Sequence, residues 1–252
     1  MLKESNLPEI KKTAKAFLYM PIELTELDPF LAVTHPVFET AIFGDIVNGE
    51  NVIINLLSDE EGKKRVLKKY ERMIDNAEAP YKVYSLIRKS YRLTFIKFIK
   101  PYLSKCDFSE LLADAWVSSE NPNQDVNVNI PTLIKWFAQA DKKALMTEED
   151  YKTFSSLPST ITVYRGVAAG RNPKGLSWTA NHSTAEWFSN RFNTSTKKGF
   201  IQKATIDKSK VLAYFNTRKE DELVVNIKGI DIQIEENSQW NTQQNSNMDI
   251  HK

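Results

Sequence analysis

The chain has 252 residues, of which 41% are hydrophobic and 11% aromatic, and its formal net charge is +2. That length supports one large core or two small ones, and the composition excludes an intrinsically disordered chain. A single cysteine, Cys106, excludes an intramolecular disulfide and a thiolate metal cage, the three dispersed histidines (His35, His182, His251) argue against a histidine metal site, and the mild charge selects no partner.

The amino-terminal apolar run Ala16 to Met20 is too short for a signal-peptide core, and no stretch has the length of a membrane span. The expectation is a soluble cytoplasmic protein with no membrane partner. Charge is uneven along the chain. Ala16 to Gly62 has no Lys or Arg but carries Glu23, Glu26, Asp28, Glu39, Asp45, Glu50, Asp59, Glu60 and Glu61. Lys63 to Lys105 then carries thirteen basic residues against Glu71, Asp75 and Glu78, so the second stretch can neutralise the first. Helical spacing of Val66, Leu67, Tyr70 and Ile74 predicts a helix over 59–76 with Ser58 as its cap. Tyr84, Ile87, Tyr91, Phe95 and Phe98 predict a second helix, from Pro80 in its first turn to about Lys100, where Pro101 stops it. Further helices are expected at 108–117 and 130–145, separated by an Asn-rich loop over 118–129.

After Pro158 the apolar runs shorten and alternate. Strands are predicted at 160–164, 175–178, 200–206, 223–227 and 230–234. One helix interrupts them, with Ser183 and Glu186 at capping-box spacing and Ala185, Phe188 and Phe192 on one face. A polar tail from about Asn237 is expected to be disordered. The fold class is therefore α+β. A helical region spans 1–157, a small β-rich domain spans 158–236 (with the helices from about 130 belonging to the same fold), and 237–252 form the tail.

Three pieces of the β-rich region can carry chemistry. Val163-Tyr164-Arg165-Gly166 is a strand ending in an arginine, which can fork two hydrogen bonds onto a phosphate, and a glycine, which lets backbone approach a planar amide. Its structural alternative is a surface arginine before a turn. Gly175-Leu176-Ser177-Trp178-Thr179 offers hydroxyls that can fix a carboxylate or a ribose, with Trp187 and Phe188 downstream as rings that stack on a flat ligand or simply fill the core. Glu220-Asp221-Glu222 leads into the run Leu223-Val224-Val225. Two carboxylates spaced by two at a strand entrance project to one side and can share a task, and the alternative is a solvated acidic loop.

In this order the pieces resemble the mono-ADP-ribosyltransferases of the arginine–serine–glutamate class, which includes cholera-like and clostridial toxins. The resemblance covers Ser159 to about Glu235, under a third of the chain, and extends upstream through Leu133 to Met146 to bacterial and prophage members of toxin–antitoxin type. The family's Ser-Thr-Ser stands here as Ser177-Trp178-Thr179, which retains the leading serine. Tyr214-Phe215-Asn216 corresponds to its target-recognition turn, and Phe188 to its nicotinamide-stacking phenylalanine. The resemblance implies a split-sheet domain that uses NAD as substrate without a metal. Arg165 would hold the diphosphate, Gly166 the carboxamide and Phe188 the nicotinamide ring. Ser177, with Thr179 beside it, would orient Glu222 against the ribose 2′-hydroxyl, and Glu220 would activate the acceptor. The acceptor it implies is a protein arginine or an RNA base. The basic, tyrosine-rich stretch 63–105 favours RNA unless those rings are helix core and the lysines solvate the opposite face. An antitoxin partner, a pure NAD glycohydrolase, and a catalytically silent nucleic-acid-binding module are the remaining readings.

Overall fold

The computed structural model describes residues 2–25, 31–120 and 122–235, so the expected tail lies outside the described residues. The chain divides into two compact units, 1–129 and 130–252, ahead of the helix-to-strand switch at 157/158.

In the first unit, α1 (Leu7–Leu18) starts at Asn6, whose side chain accepts the Glu9 N–H, and buries Ile10, Ala14, Phe17 and Leu18. Two small antiparallel hairpins follow, β1 (Glu23–Leu24) with β2 (Val33–Thr34) and β3 (Ile42–Val47) with β4 (Glu50–Asn55). The second turns at Asn48-Gly49, both at positive φ, the pair that matches the twist of a tight hairpin. Helix α2 (Glu60–Asp75) is capped by Asp59, which accepts the Gly62 N–H at 2.8 Å, and not by Ser58. The long helix expected from 80 to 100 is broken into α3 (Pro80–Tyr84), a short turn of 3₁₀ helix and α4 (Arg92–Ile99). The break lets Arg88 turn back, and its Nη1 donates to the carbonyls of Val33, His35 and Phe38 at 2.9, 3.2 and 2.9 Å. Helix α5 (Lys105–Ser118) supplies Trp116, Leu112 and Phe108 to the core and Asp114 to a polar knot. There Arg92 Nη1 and the Tyr84 hydroxyl each donate to Asp114 Oδ2 at 2.7 Å, and burial pushes the Tyr84 phenol up.

His35 is fully buried and stacked on Phe38, and its Nδ1 accepts the N–H groups of both Val37 and Phe38 at 3.1 Å. Its proton therefore resides on Nε2, which faces the backbone of Leu18 and Met20 without completing a hydrogen bond. Burial pushes the imidazole down to about 4, with those two carbonyls opposing the shift. Between an unfolded value of about 6.5 and the folded one, the unfolded chain holds a proton that the folded chain rejects. Stability therefore falls as pH drops through this window, by about 1.4 kcal/mol per pH unit and roughly 3 kcal/mol in all. Urea unfolding at pH 7 and pH 4.5 is expected to show this loss. His35→Asn, which keeps an acceptor but cannot titrate, is expected to lose correspondingly less, and equal losses in the two proteins would remove His35 as the cause.

The second unit opens with α6 (Ile130–Gln139), α7 (Lys142–Leu145) and α8 (Glu148–Ser156), where one helix over 130–145 was expected. Six strands then form one mostly antiparallel sheet in the order β10-β7-β5-β6-β9-β8. They are β5 (Thr160–Val167), β6 (Ser177–Thr179), β7 (Phe200–Asp207), β8 (Val211–Phe215), β9 (Glu222–Val225) and β10 (Gln233–Glu235), with α9 (His182–Asn190) between β6 and β7. β8, buried along its whole length, contains Tyr214 and Phe215, so the turn expected there begins only at Asn216. β5 pairs with β7 along its full length, from Thr160↔Asp207 to Val167↔Phe200, but meets β6 at one position, Tyr164↔Thr179. The sheet is thus two three-stranded halves that share a single rung. The predicted α+β class, helical and then β-rich, holds.

Among the described residues no helix is long and apolar enough to cross a membrane, and no group of three or more His, Cys, Asp or Glu could hold a metal.

Candidate active site

The register brings the sequence pieces together. Residues directly opposite each other in antiparallel strands share a face. Thr179 is opposite both Tyr164 and Glu222, and Glu222 is opposite Phe215, so these residues lie on one face, together with Ser177 two positions along β6 and Gly166 two along β5. Helix α9 covers the same face. Its amino-terminal His182 packs edge-on to Tyr164 with ring centroids 4.9 Å apart, and its middle crosses Gly166. A Cβ on Gly166 would stand 2.0 Å from the Ala185 carbonyl oxygen and 2.7 Å from Phe188 Cβ. The space that the missing side chain leaves is therefore taken by α9. The same contact brings half-buried Phe188 beside β5. Asn181, not Ser183, caps α9, its Oδ1 accepting the N–H groups of Ser183 and Thr184. Thr179 Oγ1 in turn accepts the Asn181 N–H at 3.1 Å, which commits that hydroxyl to the turn between β6 and α9.

Arg165 alternates to the other face of β5, but the divergence of β6 leaves room for its guanidinium to reach across. Nη1 donates to the Ser177 carbonyl oxygen at 2.7 Å, and the head fills the place where a Cβ of Gly175 would stand, 2.3 Å from Nη2. Only glycine at 175 admits it. Burial pushes the guanidinium down to about 10, the nearby Glu222 carboxylate opposes that shift, and the group stays cationic at neutral pH. Its Nε is buried with no hydrogen-bond partner among the described residues. One branch of the fork thus ties the two half-sheets together while another donor is left over, and an orphaned charged donor is costly unless something occupies it. Arg165→Lys keeps the charge and loses the fork. It is expected to lower the melting temperature by several degrees, and a wild-type value would show that the Ser177 tie does not matter to the fold.

Glu220 and Glu222 are not related by strand alternation. Lys219 and Asp221 both lie at positive φ, 59° and 48°, so Glu220 belongs to a coiled six-residue loop and Glu222 to β9. The shared-side argument from spacing fails at Asp221. That residue is instead a fixed point. The Tyr214 hydroxyl donates to its Oδ1 at 2.6 Å, its N–H donates to Asn216 Oδ1, and the Asn216 N–H donates to the buried Asp150 on α8. Sequence reasoning passed over Asp150 and named Tyr214, Asn216 and Asp221 only as parts of a turn and a motif, without the bonds between them. An Asn and an Asp bracketing a short loop were the available signal.

Two cations of the first unit's basic stretch are tied into its fold. Arg88 and Arg92 are held by the carbonyls and by Asp114 as described, and Arg92 also stacks on the buried Tyr84 ring at 4.8 Å. A cleft of about 700 Å³ beside them is lined by Arg88 and Lys89 but also by Glu39, Glu120 and Asp125, so its charge is mixed. No protein-family model, curated protein or solved structure matches this chain.

Proposed function

We propose that the chain is a mono-ADP-ribosyltransferase with the split-sheet fold of that family, which takes NAD as substrate and transfers ADP-ribose to a macromolecular acceptor. The observation that carries the reading is the convergence of Ser177, Glu222 and the Phe188 helix on one face where the half-sheets diverge, with a buried, incompletely bonded Arg165 in the gap. That Arg165 and Glu222, 57 positions apart in sequence (222 − 165), lie close together supports this reading.

The chemistry follows from the charges. Cleavage of the bond between nicotinamide and the ribose leaves positive charge on the ribose carbon, and the bond's electron pair departs with nicotinamide. Glu222 places a carboxylate beside that cation, and because the carboxylate is already fixed, little reorganisation is needed as the charge develops. Arg165 offers its spare donor to the diphosphate. The acceptor's nucleophilic atom then bonds to the ribose carbon, and Glu220 takes the proton it releases. No step calls on a metal. The resemblance extends the proposal to an intracellular toxin restrained by an antitoxin.

Purified protein incubated with NAD is expected to release nicotinamide, and NAD labelled in the adenosine moiety is expected to label a macromolecule in a cell extract. Nicotinamide release without macromolecular label makes the protein a glycohydrolase. Absence of both removes the enzymatic reading.

A further inference from the structure

The carboxy-terminal end of α9 and the loops around it form a surface that the site described above does not use. Trp187 and Phe192 are 58% and 46% exposed, although the spacing of Phe192 with Ala185 and Phe188 sets the three on one helix face. Helix α9 ends at Asn190, so Phe192 leaves the helix before it can follow that face inward. Each ring is accompanied by arginine. The Arg171 guanidinium stands 5.1 Å from the Phe192 centroid, and Arg191 stands 5.3 Å from Phe192 and 5.5 Å from Trp187. The four groups make a run of alternating cations and rings, Arg171, Phe192, Arg191, Trp187. The run ends at Phe188, whose ring centroid is 4.9 Å from that of Trp187. From Gly170 to Gly199 the chain carries Arg171, Lys174, Arg191, Lys197 and Lys198 against the single acid Glu186. The loop is pinned, since Asn193 Oδ1 accepts the Gly199 N–H at 2.7 Å and Gly199 itself leaves no room for a Cβ beneath Ser189.

Exposed aromatic and guanidinium planes interleaved with unneutralised cations match a ligand that offers flat bases and phosphates together. A duplex hides its base faces, and an acidic peptide has none. We propose that this run binds single-stranded nucleic acid, the bases stacking on Trp187 and on the arginine–Phe192 stack and the phosphates meeting Arg171, Arg191, Lys197 and Lys198. Because the run leads to Phe188, the bound strand is the acceptor of ADP-ribose. That second statement rests on the transferase reading, whereas the binding does not.

The test uses the full chain and a fluorescein-labelled 20-nucleotide RNA of mixed sequence. The same sequence as single-stranded DNA and as duplex RNA serves for comparison, with polyglutamate as competitor. The single strand is expected to bind at least tenfold more tightly than the duplex, and polyglutamate at equal charge is expected not to displace it. Preference for RNA over DNA identifies RNA as the acceptor class, and equal binding leaves the acceptor as single-stranded nucleic acid of either sugar. Phe192→Ala and Trp187→Ala are each expected to weaken binding on the order of tenfold. Arg171→Gln and Arg191→Gln are each expected to flatten the dependence of log affinity on log salt by about 0.7. Phe192→Ala and Arg171→Gln are expected to leave nicotinamide release at the wild-type rate, so a failure of NAD chemistry and a failure of this surface are distinguishable. Equal affinity for duplex and single strand, displacement by polyglutamate, or wild-type affinity in all four variants overturns the proposal. Weakened binding by any variant counts only where its melting temperature matches wild type, and Phe192→Leu, which keeps apolar bulk without a π-face, supplies the loss of stacking if Phe192→Ala is unstable.

Discussion

Glu222→Gln is expected to lower nicotinamide release from NAD about a hundredfold or more, the usual effect of removing one fixed electrostatic partner of a developing charge. The substitution keeps size and hydrogen-bonding capacity, and Glu222 is only half-buried at the start of β9, so the fold is expected to survive. Glu220→Gln separates the two carboxylates. It resides in the loop, outside the β9 register, and is expected to reduce transfer to the acceptor far more than hydrolysis of NAD. Growth arrest on production in a bacterial cytoplasm is expected for the wild type and not for Glu222→Gln. Equal nicotinamide release by Glu222→Gln and wild type would falsify the assignment of Glu222. Equal impairment of both reactions by Glu220→Gln would return that residue to a general structural role.

Gly166→Ala is expected to be strongly damaging to the second unit. Its Cβ would meet the Ala185 carbonyl at 2.0 Å and the Ser189 nitrogen at 2.7 Å, both backbone atoms of α9 that move only with the helix. Overpacking of this kind costs about 1–3 kcal/mol or more, and the displaced helix carries Phe188 away from β5. A fall in melting temperature and a loss of nicotinamide release beyond tenfold are expected together. Gly44→Ala, with nothing within 4 Å of its added methyl, is the control and is expected to be near neutral. A Gly166→Ala protein as stable and as active as the control would mean that α9 does not need its close seat on β5.

The strands that alternate strongly were legible, and so was the switch from helix to sheet after Pro158. β8 was not, because Val211 to Phe215 are all buried and a strand covered on both faces shows no alternation. The broken helix at 85–91 escaped for a different reason. Apolar spacing continues through Ile87 into α4, and only the carbonyls waiting for Arg88 explain why the chain turns there. The Asn48-Gly49 hairpin was readable and was passed over amid acidic residues. Of the site, the residue types were legible but their faces were not. Faces are set by register, and the rung Tyr164↔Thr179 is a tertiary fact. Local spacing misled at Glu220 because Asp221 takes a left-handed φ, held there by Tyr214 and Asn216 from outside the motif. It misled at Phe192 because a helical wheel does not record where the helix stops.

The coiled loop between Phe215 and Glu222 gives the two glutamates separate mechanical supports. Glu222 is fixed by its ladder neighbours Thr179 and Phe215, whereas Glu220 is suspended between left-handed Lys219 and Asp221. A residue inserted or removed between Asn216 and Asp221 would swing Glu220 through an arc and leave Glu222 in register. One carboxylate can therefore be re-aimed by loop length alone while the other keeps its place, and on the proposed transferase reading variation in this hairpin is a route to new acceptors that leaves the handling of NAD intact.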